Sequence, residues 1–158
     1  MGKKQDKTNV MRILDGKKLP YDIHTYEPDS TMTGEEIANV LGENPDCVFK
    51  TLVTQGKSDQ YYVFMVPVKC ELDLKKAAKE AGEKNIAMIK QKDLLPLTGY
   101  VHGGCSPIGM KKAFPTFIHQ SAESFERIFV SAGRVGAQIE LSPHDLVTVA
   151  NAKYAKII

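Results

Sequence analysis

Apolar and polar residues change rhythm several times along the chain, and the changes divide it into short elements. From Thr8 to Lys18, Val10, Ile13 and Leu14 fall on one side of a helical wheel, which predicts an amphipathic opening helix closed by Pro20. The next segment, Tyr21–Tyr26, alternates and is rich in strand formers. "TGEEIANVLG" then sets Thr33 three residues before Glu36, follows with Ile37, Val40 and Leu41, and stops at Gly42, the pattern of a capped helix.

Two β-rich runs, Cys47–Thr54 and Tyr61–Val68, flank the polar "QGKSDQ" and predict an antiparallel hairpin. Asp73 can cap a short helix ended by Gly82. Ile86–Ile89 reads as a strand and Gln91–Leu95 as a short helix. Further on, "TFIHQ", "RIFVSAG" and "AQIEL" read as strands, with a helical turn "SAESF" after the first. Ser142, Pro143 and Asp145 carry the start signals of a last helix. This irregular order predicts an α/β fold of α+β type, with a central mixed and largely antiparallel sheet flanked by helices. A doubly wound parallel sheet would alternate more regularly.

Composition narrows the class. At 158 residues, with 42% apolar and 25% charged positions, the expectation is one globular domain spanning 1–158, with a core large enough to need no disulfide or metal. No run approaches a membrane span, and the first residues lack the apolar stretch of a secretory signal, so a cytoplasmic location is expected. Cys47, Cys70 and Cys105 are odd in number and widely spaced, which suits a reducing compartment. A net charge of +2 announces no nucleic-acid binder, but the cations are clustered. Lys3, Lys4, Lys7, Arg12, Lys17 and Lys18 crowd the first residues against Asp6 and Asp15, and Lys111 and Lys112 stand together further on. Such clusters either contact phosphates or form a solvated face.

Lys50 is the first candidate for chemistry. On a strand it shares a face with Val48 and Leu52, while Phe49, Thr51 and Val53 share the other, so its amine needs a partner or solvent. A pocket at the strand end would supply a carbonyl, carboxylate or phosphate oxygen; an edge-strand or snorkelling lysine is the plainer alternative.

The second candidate is the stretch "TGYVHGGCSPIGMKKAF", Thr98–Phe114. It fails as a phosphate loop, because Met110 separates Gly109 from Lys111, no hydroxyl follows that lysine, and Pro107 removes an amide. Its glycines still allow backbone to come close to a ligand, with the Ser106 hydroxyl beside them. His102 with Cys105 is half of a zinc pair, no CxxC occurs, and no metal site or cofactor is expected. Cys105 reads as a small space-filling residue. In "SAGRVG", Gly133 and Gly136 suit a tight hairpin, while Ser131 and Arg134 would be polar groups at a pocket rim.

Together, "KTNVMRIL", "VFKTLV", "LDLKKAAKEAG", "GYVHGGCSPIGMKK" and "VSAGRVGAQIELSPHDL" resemble the YbaK/EbsC family of free-standing aminoacyl-tRNA deacylases, in the same order over nearly the whole chain. The branch most resembled removes cysteine from tRNA(Pro). The resemblance implies a fold related to the editing insertion of bacterial prolyl-tRNA synthetases. It also implies hydrolysis of the ester that joins a wrongly attached amino acid to the tRNA 3′ end.

By that resemblance the essential lysine is Lys50, beside Thr51, and the tyrosine ending the first strand is Tyr26. The GGxSPxG loop falls on Gly103, Gly104, Ser106, Pro107 and Gly109, and the serine and glycine of the last hairpin on Ser131 and Gly133. Members often carry two basic residues before the hairpin's final glycine, whereas here Val135 follows Arg134. The implied partners are aminoacyl-tRNA and, as a candidate for its delivery, prolyl-tRNA synthetase; a monomer and no membrane contact are expected. The residues offer no Ser/His/Asp order and no paired carboxylates. The family answers this by letting the substrate cysteine's thiol attack its own carbonyl. In that scheme Lys50 anchors and the Gly103–Ser106 backbone stabilises the oxyanion. A deacylase for alanyl or another small aminoacyl ester, and a non-catalytic aminoacyl-tRNA or nucleotide-binding module, are the alternatives.

Overall fold

A computed structural model describes residues 7–29 and 31–158; Lys3, Lys4 and Asp6 of the basic opening cluster lie outside them. Capping sets most helix boundaries. α1 (Asn9–Gly16) starts at Thr8, whose side chain accepts from the Met11 N–H, and it buries Val10, Met11 and Leu14. It stops four residues before Pro20, with Lys18 in the left-handed region at φ 58°. α2 (Gly34–Leu41) has the reciprocal Thr33–Glu36 capping box and a left-handed Gly42 at its end. It buries Ile37 and Ala38, while Val40, expected on the apolar face, is 67% exposed. α3 (Leu74–Ala81) is capped by Asp73, which accepts from the amides of Lys75 and Lys76. α4 (Gln91–Thr98) runs past the expected end at Leu95 and contains Pro96. The proline removes one amide, and the Thr98 hydroxyl donates to the Leu94 carbonyl at 2.8 Å, so the last turn holds until Gly99. α5 (Pro143–Ala150) begins at Ser142, which accepts from the Asp145 N–H at 3.1 Å.

The strands are β1 (Asp22–Thr25), β2 (Phe49–Gly56), β3 (Tyr61–Pro67), β4 (Ile86–Met88), β5 (Thr116–His119), β6 (Ile128–Ser131), β7 (Ala137–Leu141) and β8 (Ala152–Ala155). They form two sheets. One is antiparallel in the order β1-β7-β6; the other is mixed, in the order β4-β2-β3-β5-β8, with β5 parallel to both β3 and β8. The mixed α/β class is as expected, and the strand content is divided between two sheets where the sequence suggested one. β8 is additional: "AKYA" lacks β-branched residues, and its pairing with β5 depends on the left-handed Asn151 that turns the chain straight out of α5.

Both faces of the five-stranded sheet are covered. Val53, Val63, Met65 and Ile118 pack with α1, β6, β7 and α5 in the larger core, whereas Tyr62, Phe64, Val66 and Phe117 pack with α3 in a smaller one. This is why strand alternation in β3 yields no exposed face: each set of side chains has its own core. On the side of β2 away from β3, the ladder to β4 covers Thr54–Gly56, and a single parallel bridge, Val48 to Phe129, touches β6. The two sheets therefore part beside Lys50, Thr51 and Leu52.

Candidate functional site

A cleft of about 350 Å³ opens where the sheets part. Its floor is the start of β2, from Val48 to Leu52. The first turn of α2 contributes Thr33, Gly34 and Ile37, α4 contributes Leu94, and the long loop contributes His102, Gly103 and Cys105. Tyr26 follows β1, and Ser131 and Gln138 come from β6 and β7. Lys50 is the one Lys, Arg, Asp or Glu among the described lining residues. It lies opposite Val66 in the β2–β3 register, half-buried at the strand's beginning, so its amine has the cleft in place of a dry core. Beside it the Thr51 hydroxyl oxygen is buried and has no hydrogen-bond partner. A buried polar atom without a partner costs about 1–3 kcal/mol, which a bound ligand can recover.

The structure thus gathers Lys50, Thr51, Tyr26, Gly103 and Ser131 around one cavity. Ser131 is partly committed, its oxygen accepting from the Gly133 N–H at 3.1 Å. The other residues implied by the resemblance do not line it. Ser106 is fully buried, and its hydroxyl oxygen accepts from the Ile108 N–H at 3.2 Å, so it shapes the loop and presents no hydroxyl to the cleft. Pro107 lines a separate groove with Met110, Lys112 and Lys153. Gly104 explains itself by contact: a Cβ there would sit 2.9 Å from the Arg134 and Val135 backbone. Its close approach is to the β6–β7 turn. Its N–H already donates to the Val101 carbonyl at 3.0 Å, so within the expected Gly103–Ser106 cradle this one amide is engaged inside the loop. Gly133, at φ 99°, supports the same packing; a Cβ would meet Val10 at 3.0 Å and Tyr100 at 3.2 Å.

The loop is tied down by its own polar groups. Thr98 receives the Tyr100 N–H at 3.0 Å, and the Tyr100 hydroxyl donates to the Ile108 carbonyl. Burial raises the Tyr100 hydroxyl to about 12 and the Cys105 thiol to about 12, so Cys105 is a packed thiol and no thiolate nucleophile. No group of three or more His, Cys, Asp or Glu able to hold a metal occurs among the described residues.

Sequence reasoning missed several parts of this wall. Gln138 sits on β7 inside what reads as a plain strand, and Glu43 follows α2 as if it were a surface residue. Both are partly or fully buried, and the Gln138 amide nitrogen lies 2.9 and 2.8 Å from the two Glu43 carboxylate oxygens. Only their placement on adjoining elements brings them together, so no local signal could have paired them.

A mixed α/β domain whose cleft holds a lysine at the parting of two sheets defines the class, and comparison with known proteins gives the family. Residues 28–149 match the aminoacyl-tRNA editing domain, and the chain belongs to that family. EbsC of Enterococcus faecalis, whose name proposes a Cys-tRNA(Pro)/Cys-tRNA(Cys) deacylase, is 44% identical over 98% of this chain and 95% of its own. The proline–tRNA ligase of Shouchella clausii is 31% identical over 66% of this chain, which corresponds to 18% of that enzyme. A crystal structure described as a proposed trans-editing enzyme for prolyl-tRNA synthetase superposes with a TM-score of 0.81. At 24% identity over 96% of this chain and 98% of that one, it shares the fold. Among the described residues no helix is long and apolar enough to cross a membrane.

Proposed function

We propose that the protein removes cysteine from mischarged tRNA(Pro), with the aminoacyl ester held in the cleft at Lys50. The observation that carries this reading is the make-up of the cleft: one cation, an unpartnered threonine hydroxyl, apolar walls, and no carboxylate among the described lining residues. Such a site can bind and polarise an ester, but it has no acidic side chain to act as general base. A substrate that carries its own nucleophile overcomes that lack. The cysteine Sγ attacks the ester carbonyl, the C–S bond forms as the bond to the ribose oxygen breaks, and the thiol proton ends on that oxygen. The tRNA leaves with a free hydroxyl, and the four-membered thiolactone is opened by water.

Lys50 and the Thr51 hydroxyl would hold the carbonyl or terminal phosphate oxygens. The apolar wall of Val48, Ile37 and Leu94 would exclude water and fold the side chain back on its ester. Positioning alone can contribute heavily, since effective molarities for well-aligned intramolecular attack reach roughly 10⁵ M or more. The similarity to prolyl-tRNA ligase supports a tRNA(Pro) substrate and makes that synthetase the candidate partner for delivery.

The test is single-turnover deacylation of tRNA(Pro) charged with Cys, Ser, Ala or Pro, with Lys50→Ala alongside. Rapid loss of Cys alone, reduced on the order of 100-fold in the variant, is expected, because an oxyanion or phosphate contact contributes about that much. Equal loss of Ser or Ala, abolished by His102→Ala, would replace the thiol with a water activated at the cleft rim. tRNA binding with no ester loss would leave a binding module.

A further inference from the structure

A cluster of ionisable groups stands behind the cleft wall, and the chemistry above does not use it. Gln138 lines the cleft, is buried, and faces His24 in the β1–β7 register. In the orientation that satisfies both ends of its amide, Nε2 donates to both oxygens of Glu43. Glu43 is itself held: it follows the left-handed Gly42, and its N–H donates to the Ala38 carbonyl at 2.8 Å.

The ionisable groups facing Glu43 come from two strands: His24 of β1 and Glu140 of β7, which lie 2.7 Å apart. Arg127, just before β6, joins Glu140 at 3.7 Å and Asp22 at 2.8 Å. Cys47, in the turn before β2, lies in the field of Asp46 and Glu140. Burial raises the Glu43 carboxyl to about 7; His24 opposes the rise, Glu140 adds to it, and the Gln138 hydrogen bond opposes it.

We propose that Glu43 is a positioning residue for deacylation: it clamps the Gln138 amide nitrogen and so fixes that amide in the cleft wall, where the second lone pair of its oxygen is left to accept from the substrate's amino group. The cleft offers that ammonium no carboxylate among its described lining residues, and a neutral amide oxygen is an acceptor that does not neutralise Lys50. An ionised Glu43 accepts both amide protons. A protonated one offers a donor in place of an acceptor and lets the amide turn over.

This inference rests on the deacylase reading. Its test compares wild type, Glu43→Gln and Glu43→Leu on Cys-tRNA(Pro) between about pH 5.5 and 8.5, with kcat and KM resolved. Wild-type kcat is expected to fall below about pH 7 more steeply than that of Glu43→Gln, which keeps an acceptor for the amide and retains most of the rate. Glu43→Leu is expected to lose about tenfold in kcat above about pH 7, the worth of one hydrogen bond to a charged group, and to approach the wild-type rate as pH falls. A purely structural role would lower the unfolding midpoint and leave the pH profile of kcat in the folded protein as in wild type.

Superimposable pH profiles for wild type and Glu43→Gln, or an unimpaired Glu43→Leu, would overturn the proposal. If the wild type itself released no cysteine, the deacylase reading would fail, and the side-chain amide resonances of Gln138 would still decide the clamp. A titration near pH 7 in wild type that is absent in Glu43→Gln supports it. A flat wild-type response overturns it.

Discussion

Gly104→Ala isolates the packing of the long loop against the β6–β7 turn. The added Cβ would stand 2.9 Å from the carbonyl carbon and Cα of Arg134 and from the Val135 nitrogen, all backbone atoms that no rotamer change can move. Favourable carbon contacts lie at about 3.5–4.0 Å, so loop and turn must separate by roughly half an ångström. The loop cannot slide freely, because Gly104 N–H is tied to Val101 and the Tyr100 hydroxyl to Ile108. Overpacking of this kind costs about 1–3 kcal/mol. For a chain of this size that lowers the melting temperature by about 2–4 °C per kcal/mol. His102, Gly103 and Cys105 form one wall of the cleft, so the same separation widens it; a misplacement of about 1 Å can cost on the order of 100-fold in rate, and half of that about tenfold.

The assays are urea unfolding and single-turnover deacylation of Cys-tRNA(Pro), with Gly16→Ala as the control. Gly16 ends α1 with nothing within 4 Å of its added Cβ and without a left-handed φ, so alanine there should stabilise by up to about 1 kcal/mol. A Gly104→Ala protein that unfolds at the wild-type midpoint and keeps full activity would refute the contact argument.

Two further outcomes follow from the ionisable groups. Glu43 has its folded-state value raised from 4.5 to about 7, so the folded protein binds the proton more tightly than the unfolded chain. Stability from this group is present below about 4.5, is lost as pH rises to about 7, and is flat above. Glu43→Gln should remove that slope in urea midpoints measured across the interval. For the cysteines, iodoacetamide at mildly alkaline pH should modify the half-buried Cys47 and Cys70 in the native protein and spare Cys105, whose thiol is buried and pushed up to about 12. Native-state labelling of Cys105 at a comparable rate, read by peptide mass, would show that the loop opens.

Most of the elements were legible in the sequence because their signals are local. The Thr33–Glu36 box, the Asp73 and Ser142 caps, the left-handed Gly42 and Gly82 and the polar stretch between β2 and β3 each act within a few residues, and each stands where the pattern placed it. Lys50 was legible as a lysine that needed an outlet, and the motif resemblance indicated the family to which residues 28–149 belong. The rest depended on contacts between distant segments. Only the tertiary structure parts the two sheets at the start of β2 and so gives Lys50 its cleft. It also adds β8 through parallel pairing, and packs Ser106 within the loop and Gly104 against the β6–β7 turn. Glu43 against Gln138 is the sharpest case: hydrogen-bond geometry and desolvation join them, and neither leaves a trace in the order of residues along the chain.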